Sequence, residues 1–396
     1  MITDGACYRE GCLLMSRFLR KLTAATGAAF LLTGLFALPA HAAEAPTAIV
    51  SLGDSYISGE AAGDYEEGTD QEGNFCHRSN RAEIHSTGID VDESINLACS
   101  GATTDNVRLG GTPQNGEAPQ AERLREVAKS HDVQLVVLSI GGNDVGFSDL
   151  VLDCIKAYFR LGERCQDKWA DKLPAELEQA APNIARSLAD IRTVMNDAGY
   201  ADGDYQLVLQ SYPSPVTEKN RYTFTKAFEG CPIRDDDAQW ARTRVVSQFA
   251  GTLSGVAADA GARFLDLSHA FYDREVCAEG IDHSQEWAKG VDIDVGQIQN
   301  GAGSNIVQQS MHPNELGHAQ FGTCVGGFFG MSGSAGRCLR GPDGNLAAEP
   351  ITTATVQQQE RSDTVPRIAE PEPVSDKKRA YAKEAKQRLL DRIHGN

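Results

Sequence analysis

Ile49-Val50-Ser51-Leu52-Gly53-Asp54-Ser55-Tyr56-Ile57-Ser58-Gly59-Glu60 decides how the rest of the chain is read. The apolar run from Ala48 to Leu52 predicts a buried strand, and Gly53 breaks it into a polar turn carrying Ser55. Open α/β sheets bind ligands beyond the carboxyl ends of their strands, so a serine just past such an end is well placed for chemistry. The plainer alternative is a strand-to-helix turn in which Ser55 caps the helix. Asp54 reads as a residue that orients the turn.

Outward from this stretch, the same pattern of strand and polar turn recurs. Residues 94–98 predict a second strand, ending at Cys99-Ser100-Gly101-Ala102-Thr103-Thr104. Residues 133–140 form a near-continuous apolar run, expected of a parallel strand covered on both faces, and lead into Gly141-Gly142-Asn143-Asp144. Residues 205–210 and 263–267 predict a fourth and a fifth strand. Helices are expected over 119–129, 175–198 and 240–260, the last ended by Gly261. His312-Pro313-Asn314 opens a final helix, with Pro313 in its first turn. Alternating strands and helices predict a parallel sheet with helices on both faces.

The chain has 396 residues and a net charge of −18, which argues against a nucleic-acid partner because phosphate backbones need clustered Lys and Arg. An acidic, soluble, exported surface accounts for the charge. At the amino end, Arg17, Arg20 and Lys21 precede an apolar segment, 22–38, and Ala40-His41-Ala42 fits a small-x-small cleavage site. Segment 22–38 is too short and too rich in Ala, Gly and Thr for a comfortable membrane span. Met15 suits the true start of this signal peptide better than Met1. The expected organisation is therefore a signal region over 1–42, a folded domain over 43–340, and a disordered linker with a basic tail over 341–396, where Pro, Thr, Gln and Glu dominate first. The mature chain is expected to be extracellular, monomeric and without a transmembrane segment.

Of ten cysteines, Cys7 and Cys12 fall in the part removed, and the eight that remain read as disulfides in an exported protein. No C-x-x-C pair occurs, which argues against zinc, and Cys76-His77 is at best half a metal site. Eight cysteines admit roughly a hundred pairings, and the sequence alone leaves them open.

Four stretches converge on one chemistry. Ser55 is a weak nucleophile as an alcohol and needs a base, and a histidine near its usual pKa serves at neutral pH. His312 is the candidate. The oxyanion of a tetrahedral intermediate needs preorganised donors, for which the backbone N–H of Ser55, the backbone N–H of Gly101 and the side-chain amide of Asn143 are candidates. Each also has a bland reading: Gly101 as a turn glycine, Asn143 as a helix cap. His318, about 240° around the helix from His312, reads as structural.

Gly53-Asp54-Ser55, Gly101, Gly141-Gly142-Asn143-Asp144 and His312-Pro313-Asn314, in this order, resemble the sequence blocks of the SGNH/GDSL hydrolases, over roughly residues 48–329. The likeness is greatest to secreted bacterial GDSL lipases and esterases held by disulfides. It implies a flavodoxin-like three-layer α/β/α sandwich with a central parallel sheet, and hydrolysis of carboxylic esters without metal or cofactor. The substrate would be a lipid or an acylated small molecule. The resemblance also implies the pairs Cys76–Cys99, Cys154–Cys165 and Cys231–Cys277, leaving Cys324–Cys338 as a fourth pair outside the family pattern. Many members carry an aspartate three residues before the histidine, where this chain has Gln309. Some secreted members use a main-chain carbonyl instead, so the carbonyl of Gln309 or Ser310 is expected to orient His312. Asp292 and Asp294 are other acids that nothing places at the site. A carbohydrate O-deacetylase would use the same machinery, and a non-catalytic binding protein would be expected to have lost one of the four residues. A deep apolar groove would favour long acyl chains, with Tyr56, Phe147 and Trp287 as candidates to line it. An α/β-hydrolase would carry Gly-x-Ser-x-Gly, which is absent.

Overall fold

A computed structural model describes residues 45–160, 163–222, 226–227, 229–291 and 309–352. The expected signal region, residues 353–396 of the expected tail, Asp292 and Asp294 lie outside the described residues. Strands β1 (Thr47–Gly53), β2 (Glu93–Asn96), β3 (Asp132–Ser139), β4 (Gln206–Gln210), β5 (Arg263–Asp266), β6 (Ala335–Arg340) and β7 (Leu346–Pro350) form a 7-stranded sheet in the order β2-β1-β3-β4-β5-β6-β7. The first six are mutually parallel and β7 runs antiparallel at the edge.

Consecutive residues of β1 from Ala48 to Gly53 are buried, as are those of β3 from Leu135 to Ser139, so both faces of the sheet are covered. That is why these strands read as apolar runs without alternation. Each Ile, Leu or Val side chain so buried contributes about 1.5–3 kcal/mol. Helices α1 (Ser55–Ser58), α2 (Thr104–Val107), α3 (Gln120–Ser130), α4 (Phe147–Phe159), α5 (Cys165–Asp197), α6 (Asp235–Trp240), α7 (Val246–Asp259) and α8 (Glu315–Phe329) complete the described elements. Helices α6 and α7 join through a π turn, Ala241–Val245. Helices α3, α5 and α7 pack together, while α8 packs on the 3-10 turn Glu83–Ser86 and on β7. The contact of α8 is close because it presents glycine: a Cβ on Gly326 would stand 1.9 Å from the Thr87 carbonyl oxygen. The layered α/β architecture expected of the chain is the one found, with β6 and β7 extending its sheet.

Three local expectations need correction. Helix α5 begins at Cys165, ten residues before the expected start, and runs through Pro174 and Pro182. Its first turn is held from a distance: the Asp237 carboxylate accepts the Cys165 and Gln166 N–H groups at 3.2 and 3.0 Å. The boundary expected at residue 341 falls inside a hairpin, since β7 pairs with β6 from Leu346 to Pro350. An edge strand needs only one neighbour and carries little apolar signal. Helix α8 starts at Glu315 and not at His312, because Asn314 is its N-cap and accepts the Leu316 and Gly317 N–H groups at 3.0 and 3.1 Å. His312 therefore stands in the loop before the helix, and the angular argument about His318 does not apply, although His318 is fully buried.

Four disulfides link Cys76 to Cys99, Cys154 to Cys165, Cys231 to Cys277 and Cys324 to Cys338. The second joins α4 to the start of α5, and the fourth staples α8 to β6. Closing a loop of about 15 residues contributes about 3 kcal/mol. Among the described residues, no helix is long and apolar enough to cross a membrane.

Candidate active site

The sheet register places the turns. Gly53 pairs with Ser139 and Ser51 with Asn96, so the chain leaves β1, β2 and β3 at the same edge. Gly53 has φ +137°, and a Cβ there would lie 1.9 Å from the Ser139 carbonyl oxygen, so only glycine lets the chain turn here. Asp54, not Ser55, is the N-cap of α1, and its carboxylate accepts the Tyr56 N–H at 3.0 Å. This frees the Ser55 hydroxyl.

His312 Nε2 lies 2.7 Å from Ser55 Oγ, and His312 Nδ1 lies 3.1 Å from the Ser310 carbonyl oxygen. A carbonyl only accepts, so Nδ1 carries the proton and Nε2 is left to accept from the serine hydroxyl. Of the two carbonyls expected to orient the ring, that of Ser310 stands within hydrogen-bond reach of Nδ1, and the Gln309 carbonyl also accepts the His312 backbone N–H at 3.4 Å. The Gln309 side chain is turned elsewhere, accepting from Lys289 Nζ at 2.5 Å and donating to the Tyr65 hydroxyl at 3.2 Å. The loop is held from below, since the Tyr56 hydroxyl donates to the Met311 carbonyl at 2.8 Å. Burial lowers the pKa of His312, while the charge of Glu60 and the backbone carbonyls of Ser310 and Gln309 push it back up in part. The imidazole is thus neutral at neutral pH, the form a base requires. His318, fully buried, is lowered to about 3 by burial first and the neighbouring His312 second.

Asn143 does not cap a helix, because α4 starts four residues later with Gly146 as N-cap. Its Nδ2 donates to the Ala102 carbonyl at 2.8 Å, which ties the turn after β3 to the loop of Gly101. Gly101 has φ +78°, and the loop around it is pinned by the Cys76–Cys99 disulfide and by the Ser100 N–H bond to the Cys76 carbonyl at 2.9 Å. A cavity of about 310 Å³ is lined by Ser55, Asn143 and His312 together with Tyr56, Phe147 and Tyr212. Gly101 is not part of that lining, and the Asn143–Ala102 bond ties its loop to it. Trp287, a candidate to line the groove, instead packs on Phe271, and its carbonyl accepts the Asn314 N–H at 3.0 Å, holding the loop of His312.

Tyr212 was not singled out from sequence, though it follows a predicted strand end. Its hydroxyl donates to Asp54 at 2.6 Å and accepts the Gly142 N–H at 3.3 Å, so it joins the turns after β1, β3 and β4. Burial pushes Asp54 up to about 7, against the hydrogen bond from Tyr212. Among the described residues, no group of three or more His, Cys, Asp and Glu side chains is gathered as a metal would need.

The model of the GDSL-like lipase/acylhydrolase family matches residues 51–320. The chain is 36% identical to Lipase 1 of Streptomyces coelicolor over 68% of its own length and 87% of the relative's. It is 30% identical to a lipase of Streptomyces rimosus, over 64% and 85%. The solved phospholipase A1 of Streptomyces albidoflavus aligns with a TM-score of 0.48 at 23% identity, over 72% of this chain and 97% of that one.

Proposed function

The chain belongs to the GDSL-like lipase/acylhydrolase family, and from that premise we propose that it is an exported serine hydrolase of carboxylic esters. The observation that carries this reading is the 2.7 Å contact between Ser55 Oγ and the acceptor nitrogen of His312, with the other nitrogen held by a carbonyl. Ser55 Oγ attacks the ester carbonyl carbon while its proton passes to His312 Nε2. The carbonyl oxygen becomes an oxyanion, met by the N–H groups of Ser55 and Gly101 and by Asn143 Nδ2. The intermediate collapses as His312 returns the proton to the leaving alcohol, and an acyl-Ser55 ester remains. Water, deprotonated by His312, then cleaves it to the free acid. The Ser310 carbonyl dipole does what a carboxylate does in a triad: it fixes the tautomer and steadies the imidazolium. Export is supported by the basic-then-apolar amino end and the four disulfides.

Since the Gln309 side chain bonds Lys289 and Tyr65, Gln309→Ala is expected to keep kcat within about threefold. A loss near ~10⁴-fold, the scale of disabling a triad acid, would assign that role to the side chain.

A second cavity favours apolar acyl chains over sugar acetates. It spans about 400 Å³ of space partly open to solvent, shares Phe147 with the first, and is lined chiefly by apolar side chains, among them Leu150, Val151, Val216, Val245 and Met311. An acetyl group has no use for such a space, whereas each methylene of a longer chain gains by entering it. The test is turnover of p-nitrophenyl esters from acetate to palmitate. The wild type is expected to prefer chains well beyond acetate. Val151→Trp, which fills the cavity, is expected to lower kcat/KM by roughly tenfold or more on the preferred ester and to leave acetate nearly unchanged. Equal losses on both would separate the cavity from the acyl site, and a preference for acetate would favour the deacetylase.

A further inference from the structure

Five residues beyond Ser55, Glu60 is fully buried, although it sits in a loop after α1. One of its oxygens receives the Ser100 hydroxyl at 2.5 Å and lies 2.7 Å from His77 Nδ1. His77 Nε2 lies 3.1 Å from Asp70. Burial pulls the pKa of His77 down, but the hydrogen bonds and charges of Glu60 and Asp70 outweigh it and raise the pKa. The other Glu60 oxygen is buried without a hydrogen-bond partner among the described residues. Burying a carboxylate half-satisfied is costly, and an apolar residue would serve the core better. The chain keeps a carboxyl group here, beside the loop of Gly101.

Ser100 directly precedes Gly101, and Glu60 grips its hydroxyl from the side of the nucleophile turn. His77, next to the disulfide-bonded Cys76, holds the same carboxyl oxygen, and its ring stands 4.9 Å from that of Tyr65.

We propose that Glu60 is a positioning residue of the reaction: it locks the loop that presents Gly101 to the nucleophile turn. The proposal rests on the serine mechanism given above. A loosened donor costs less than the ~10²–10³-fold of a donor removed, so Glu60→Ala is expected to lower kcat by roughly ten- to a hundredfold with little change in KM, and Glu60→Gln, whose amide oxygen still accepts from Ser100, to recover part of the loss. Ser100→Ala cuts the same tie from the loop's side and should lower kcat likewise.

The experiment measures kcat and KM of the mature, disulfide-bonded protein on a p-nitrophenyl ester. A folded Glu60→Ala with unchanged kcat, or one in which KM rises and kcat does not fall, overturns the proposal. If Glu60→Ala does not fold, Ser100→Ala decides, and full kcat there overturns the locking role. Turnover that survives Ser55→Ala would instead overturn the serine mechanism on which the proposal rests.

Discussion

Ser55→Ala and His312→Ala are each expected to lower kcat on a p-nitrophenyl ester by ~10⁴- to 10⁶-fold, and the double variant by no more than the worse single one. The two side chains meet in one hydrogen bond of 2.7 Å and act as a unit. Without the hydroxyl no acyl-enzyme forms, and the imidazole has no serine proton to take. Without the imidazole the hydroxyl stays a weak nucleophile. The second loss therefore removes nothing the first has left working. What remains is the rate provided by binding and by the oxyanion donors. Steady-state kinetics on the two singles and the double read this directly. Effects that multiply, with the double far below either single, would show that the groups act in separate steps. Thermal melting should be unchanged in Ser55→Ala, because the hydroxyl faces the cavity and the turn is set by Asp54 and Gly53.

Asn143→Ala is expected to cost ~10²–10³-fold in kcat with KM nearly unchanged. The amide has two N–H donors, and one of them goes to the Ala102 carbonyl at 2.8 Å. That bond fixes the plane of the amide and leaves the second N–H for the cavity it shares with Ser55 and His312. The donor interacts weakly with a ground-state carbonyl and strongly with the charged oxygen of the transition state, which is why kcat carries the loss. Asn143→Asp keeps the size but places an acceptor and a negative charge where the oxyanion forms, so it should be at least as damaging as alanine. A rise in KM with unchanged kcat would instead limit Asn143 to bracing the loop of Gly101.

The sheet was legible where burial leaves its mark on composition. Residues 48–52 and 133–140 are apolar apart from Ser51, Gln134 and Ser139, because each strand lies between two covered faces. The order of Ser55, Gly101, Asn143 and His312 along the chain was legible for the same reason, since three of them follow strand ends. What stayed hidden depends on partners far away in sequence. Helix α5 is capped by Asp237, seventy-two residues from Cys165, and no local pattern announces that. Strand β7 has one neighbour and the composition of a linker. Asp54 and Tyr212 carry no special spacing, and their bond exists because the turns after β1 and β4 leave the same edge of the sheet on either side of β3. The choice between the Gln309 and Ser310 carbonyls was a matter of one peptide's orientation, which composition does not encode.

The bond between Ser55 and His312 closes a span of 257 residues. Contacts of such long range form late, because the chain between them must first be ordered. A growing polypeptide that has laid down β1 to β5 holds a nucleophile with no base. Only the loop of His312, seated by α8, which Cys324–Cys338 staples to β6, arms it. Activity regained on refolding is therefore expected to lag behind formation of the β1–β5 sheet.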